Sequence, residues 1–109
     1  MIREYEHALD ALARRQRVVS DNLANLNTPG FTRSDVDFQT YMRAVLDGAK
    51  PMLEVTADTE SPVRLDGNNV SIERELFALT QTDLLFQTVS RLTTDELRSL
   101  NYVVTDGRG

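Results

Sequence analysis

The stretch from Ser71 to Val104 most constrains what this chain can fold into, because it holds neither glycine nor proline and carries apolar residues at helical spacing. Alternating steps of four and three residues from Ile72 pass through Leu76, Leu79, Asp83, Phe86, Ser90, Thr93, Leu97, Leu100 and Val104. Leu85, Val89 and Leu92 form a second row beside the first, while Glu73, Arg74, Glu75, Arg91, Asp95 and Arg98 mark other faces. This spacing predicts one long amphipathic helix over 71–104, roughly 50 Å from end to end at 1.5 Å per residue. A chain of 109 residues cannot cover a stripe of that length unless a comparably long element lies against it, in this molecule or in another.

The amino-terminal part supplies one candidate. Tyr5, Ala8, Leu9, Leu12, Val19, Leu23 and Leu26 recur with helical period, which predicts a helix over 2–26 that ends at Leu23 or Leu26. Asn22, Asn25 and Asn27 compete for backbone hydrogen bonds there, and Pro29 stops the helix. Arg14, Arg15 and Arg17 flank the stripe, either as a solvated face or as forks for carboxylates of an adjacent subunit.

Thr28-Pro29-Gly30-Phe31 reads as a turn in which Gly30 takes the positive-φ place of type II. A short helix is expected over about Val36–Leu46, with Ser34 or Asp35 as its cap and Gly48 and Pro51 at its end. Leu53, Val55, Val63 and Leu65 suggest short extended pieces separated by turn residues. Two readings of 52–69 stay open, a small hairpin and a loop ordered only in an assembly. The fold class is therefore mainly α: a single domain with long terminal helices at 2–26 and 71–104, joined by an irregular middle at 27–70. Ser71 is the expected cap of the second long helix, and the tail Thr105–Gly109 is expected to fray.

Seventeen acidic against twelve basic side chains, scattered without long runs, argue against a nucleic-acid ligand. Cysteine is absent, which removes disulfide and thiol chemistry, and no segment approaches the roughly 20 apolar residues of a membrane span. The first ten residues lack the apolar run of a standard secretory signal. His7, the lone histidine, has too few companions for a metal site and reads as an ordinary helix-surface residue. The serines have no base beside them, and the glycines form no phosphate-binding loop. No enzyme activity, cofactor or metal is expected.

Arg17-Val18-Val19-Ser20-Asp21-Asn22-Leu23-Ala24-Asn25-Leu26-Asn27-Thr28-Pro29-Gly30-Phe31, then Asp35-Val36-Asp37-Phe38, then Asp66-Gly67-Asn68-Asn69-Val70-Ser71-Ile72-Glu73-Arg74-Glu75-Leu76, together resemble the bacterial flagellar rod protein family. The short length and the Asn68–Leu76 passage resemble its proximal member most. Phe31 stands where many relatives have tyrosine, and Leu23 where many have isoleucine. The resemblance implies a structural subunit exported by the flagellar type III apparatus and polymerised into the periplasmic proximal rod of the basal body. Such a subunit joins the motor base to the distal rod and transmits torque. Implied partners are other rod subunits, basal ring or export-gate proteins, and further copies of the chain. The motif residues are Asn22, Ala24, Asn25, Thr28, Pro29, Gly30 and Phe31. Leu9, Leu12, Val19, Leu23, Leu26, Ile72, Leu76, Leu79, Phe86, Val89, Leu97 and Leu100 are expected in helix packing or assembly. Two other readings fit the same stripes: another rod component, and a cytosolic helical adaptor protein.

Overall fold

In the computed structural model, which describes residues 1–106, the elements run α1 (Ile2–Ala24), β1 (Ser34–Val36), α2 (Phe38–Leu46), β2 (Val55–Ala57) and α3 (Ile72–Asp106). The two long helices lie antiparallel. Going up α1, Arg15 reaches Gln81 at 3.2 Å, Gln16 reaches Asp83 at 2.8 Å and Asn22 reaches Glu75 at 3.2 Å, so α3 is met in descending order. α3 has 35 residues against 23 in α1, a surplus of about 18 Å of helix. The molecule is accordingly long and thin, 69 × 25 × 14 Å. Every residue from Leu97 to Val104 is exposed, because α1 has run out alongside that end. α3 stays helical through Asp106, two residues beyond the expected fraying point, and Gly107, Arg108 and Gly109 lie outside the described residues.

The seam between α1 and α3 sets apolar residues of α1 against small and polar residues of α3. Ala8, Ala11, Leu12 and Val19 are buried on α1, and Ala78, Thr82 and Glu75 on α3. Alanines let the backbones approach, and the Thr82 hydroxyl is satisfied inside the helix by donating to the Ala78 carbonyl at 2.6 Å. On α3 most of the residues expected in helix packing or assembly do not line this seam. Leu76 is 48% exposed and Leu97 53%; Ile72, Phe86 and Leu100 are exposed as well, while Leu79 and Val89 are half-buried. Burying Glu75 toward α1 turns the Ile72–Leu76 side outward, since these positions lie roughly 60–100° around the helix from it. On α1 the expected residues do face inward: Leu12 and Val19 are fully buried, and Leu9, Leu23 and Leu26 partly so.

The middle folds back on this pair. β1 and β2 pair antiparallel, Ser34 opposite Ala57 and Val36 opposite Val55. An extended pair therefore exists, but its first strand comes from 34–36, where the cap of the short helix was expected. Backbone pairing of Asp58 N–H with the Arg33 carbonyl at 2.8 Å helps hold that segment extended. α2 consequently starts at Phe38, and Asp37 rather than Ser34 or Asp35 caps it, accepting from the Thr40 N–H at 3.1 Å. The other end of α2 is finished by α1, whose Arg3 guanidinium donates to the carbonyls of Val45 at 3.2 Å and Ala49 at 2.6 Å. His7 joins the same contact, 3.0 Å from the Tyr41 hydroxyl, and is half-buried between α1 and α2 instead of lying on an open helix surface.

Two glycine turns abut. Phe31 N–H donates to the Thr28 carbonyl at 3.2 Å with Gly30 at φ 75°, the geometry expected of the Thr28–Phe31 turn. Gly67, at φ 84°, lies against it, so that a Cβ there would sit 3.2 Å from the Gly30 Cα. Gly67→Ala should therefore lower stability by about 1–3 kcal/mol, read as a reduced urea midpoint at unchanged slope. Gly48→Ala, also at positive φ but with open space around it, should cost less. Equal losses at the two positions would show that close approach of the turns is unimportant.

Candidate functional site

Arg33, the third residue after the glycine of the first turn, enters the interior and is only 3% exposed. Its Nε donates to Glu75 Oε1 at 2.6 Å, one Nη to Asp58 at 2.9 Å and the other to Asp35 at 3.4 Å. Glu75 is fully buried and also accepts from Asn22 Nδ2. Asn22 in turn clasps Ser34, accepting its N–H at 3.0 Å and donating to its carbonyl at 2.8 Å, and so closes the inner edge of β1 in place of another strand. Asn69 accepts from the Arg33 N–H at 2.7 Å and donates to the Asp58 carbonyl at 2.7 Å. One buried charge pair thereby ties α1, both strands and α3 together. Such a pair is tolerable in the interior only because nearly every donor and acceptor around it is matched.

Burial disfavours the charge on Arg33, but the Glu75 and Asp58 carboxylates outweigh it and hold the guanidinium above its ordinary value. Hydrogen bonds from Ser61 and Arg33 hold the Asp58 carboxyl well below the usual carboxylate range. A depressed folded-state value means that this stabilisation is complete above the unfolded value, about 3.9, and disappears as pH falls below it. Thermal unfolding followed from pH 6 to pH 2 should show stability falling below about pH 4, with Asp58→Asn less stable at pH 6 and flatter in acid. A variant with the same acid slope as the parent would remove Asp58 as the cause.

The end of α1 is capped from a distance. Asn68, fully buried, donates through Nδ2 to the carbonyls of Asn25 at 2.8 Å, Leu26 at 3.2 Å and Thr28 at 2.8 Å. Arg64 adds hydrogen bonds to the Leu26 and Val70 carbonyls. Asn25 bonds its own helix at Asp21 and accepts from the Thr28 hydroxyl at 3.1 Å, while Ala24, Asn27, Thr28 and Pro29 face outward and Phe31 is half-buried. The motif residues thus divide into an inward set centred on Asn22 and an outward rim at the turn. Sequence reading missed Arg33, Glu75, Asn68 and Arg64. Asn68 and Glu75 lay inside the quoted motif, but helical period assigned Glu75 to a solvent face and nothing local marked Arg33.

What remains uncovered is apolar and lies on α3. Besides the expected Ile72, Leu76, Phe86, Leu97 and Leu100, Phe77 is 70% exposed and Leu84 59%, one heptad apart on the side away from α1. Tyr102, Val103 and Val104 extend the uncovered surface along the overhang. Exposed apolar side chains therefore recur along the whole length of α3, where a single surface leucine would need no explanation. Among the described residues, no cluster of His, Cys, Asp and Glu could hold a metal ion, and no helix is long and apolar enough to cross a membrane.

A family profile described as Flagella basal body rod protein matches residues 5–32, which span most of α1 and the first glycine turn. Similarity to curated proteins runs much further. Flagellar basal body rod protein FlgB of Borreliella burgdorferi is 28% identical over 88% of this chain and 89% of its own length. The FlgB proteins of Yersinia ruckeri (26% identical, 97% and 94% covered) and Bacillus subtilis (24%, 98% and 95%) align almost end to end. The chain is similar to flagellar basal body rod proteins along nearly its whole length. The polar cluster around Arg33 is matched internally and ties the elements of the fold together, while many apolar side chains of α3 are left uncovered. The profile falls on the corner that Asn22, Asn25 and Asn68 organise, whereas the rod relatives' alignment also takes in α3.

Proposed function

We propose that this chain is a structural subunit of the proximal flagellar rod, polymerising through its terminal helices to connect the motor base to the distal rod and to transmit torque. The observation that supports this reading is the uncovered apolar surface of α3, continued past the end of α1 over Leu97–Val104. Burying it between subunits is worth about 25 cal/mol per Å² of apolar area before ordering costs are subtracted. Helices packed side by side along a shaft also resist twisting better than loop contacts do. In this reading the chain is exported through the flagellar type III apparatus, acts in the periplasm, and contacts other rod subunits, copies of itself and the basal ring or export gate.

Purified basal bodies test it. The chain should co-purify with them and occupy density at the base of the rod by cryo-EM, with α3 covered by neighbouring helices. A chain that stays a cytosolic monomer and is missing from basal bodies would refute the rod reading in favour of a soluble adaptor.

A further inference from the structure

A second surface differs from the apolar face of α3. Between α1, α3 and the strand pair opens a groove of about 770 Å³, large enough for several side chains. Four carboxylates line it, Asp35, Asp37, Asp58 and Glu60, against two guanidiniums, Arg15 and Arg33. Arg33 pairs with Glu75 and Asp58, Arg74 also reaches Asp58, and Arg15 pairs with Asp35 and Gln81, which leaves Asp37 and Glu60 as the lining carboxylates without an ion pair among the described residues. Glu60 is exposed at the rim with no side-chain partner among the described residues, and Phe38 and Leu85 supply half-buried apolar wall against which an aliphatic stem can lie.

The matching shape is carried by the same chain. Arg14 and Arg17, one turn apart on the outer side of α1, are exposed and make no ion pair or hydrogen bond among the described residues. Arg17 is flanked at i−4 and i+3 by the small residues Ala13 and Ser20, and at i−3 and i+4 by Arg14 and Asp21. On the helix, Arg14 and Arg17 lie roughly 100° and 160° from Arg15, which faces the groove, so they cannot reach their own groove.

From this complementarity we infer that the groove receives the Arg14–Arg17 edge of α1 from a second copy of the chain. Knob and recess are different surfaces, so the contact can be heterologous and repeat from copy to copy, extending as a filament when the rotation does not close a ring. It rests on the rod reading and adds to it a polar, salt-sensitive contact that sets register beside the apolar one.

Since the chain has no cysteine, full-length Arg17→Cys and Glu60→Cys variants can be mixed and mildly oxidised. A disulfide-linked dimer should form in the mixture in clear excess over either variant alone. In sedimentation, Arg14→Glu/Arg17→Glu and Glu60→Arg should each weaken self-association about tenfold, with the combined chain recovering most of the loss. Circular dichroism checks that helix content is unchanged. Absence of the mixed disulfide, or failure of the combined chain to recover, overturns the contact. Leu84→Asp, outside the groove, separates the two ideas. If it abolishes assembly while the arginine variants do not, the groove contact is wrong and the rod reading stands. Normal incorporation of Leu84→Asp together with Leu76→Asp and Leu97→Asp into basal bodies would count against the rod reading itself.

Discussion

Glu75→Ala should cost about 3–5 kcal/mol of folding stability, a large share of what a small domain has. The reason is the partner left behind. Arg33 is buried to 3% exposure, and its shortest contact is the 2.6 Å bond to Glu75, so truncation strands a guanidinium away from water. Asn22 Nδ2 loses an acceptor at the same time and keeps only the Ser34 carbonyl. Because Arg33 also holds Asp58 and Asp35, the damage should spread into 34–58 and show as fast amide exchange there, while the far part of the α1–α3 seam around Ala8 and Ala11 stays protected. Arg33→Met/Glu75→Leu should cost less than Glu75→Ala, since removing both charges removes the burial penalty with them. Urea unfolding of the three proteins decides the matter. Glu75→Ala within 1 kcal/mol of the parent would mean that the pair is solvated in solution.

The second large effect separates assembly from folding. Leu76, Leu84 and Leu97 are about half exposed in the single chain, so replacing each with aspartate should change folding stability by no more than about 0.5 kcal/mol. In the proposed rod these side chains would be buried against neighbours, where a leucine contributes roughly 1.5–3 kcal/mol and a stranded carboxylate costs more. Each substitution should weaken assembly by at least ten- to a hundredfold and abolish motility, whereas Glu73→Ala should do neither. Phe86 is less exposed, and a charge there should harm folding as well as assembly. Co-sedimentation with rod partners and a swarming assay provide the readout. Full motility with all three aspartate variants would show that the wrong side of α3 has been assigned to the neighbours.

Much of the architecture is legible from local sequence. Neither long helix contains a glycine or proline, and each announces its period. Pro29 and Gly30 dictate a turn whose positive φ the structure shows. The orientation of α3 was not legible, because apolar residues occur most of the way around it: Ile72 and Leu76 on one side, Phe77 and Leu84 on another, Leu85 and Val89 toward α1. Period identifies such a helix without saying which side is inward. The strand at 34–36 was equally hidden, since Ser34 and Asp35 are good caps locally and become extended only when Asn22 and the Asp58 backbone pair with them.

By itself the sequence determined two long helices, a glycine corner between them and more apolar surface than so small a body can cover, because propensity, turn chemistry and periodicity act over a few neighbouring residues. Tertiary structure alone decided that α3 turns Glu75 inward and Leu76, Leu84 and Leu97 outward. The Arg33–Glu75 bond that sets this rotation joins residues 42 positions apart, and a buried charge fixes its partner only once the chain has brought the two together.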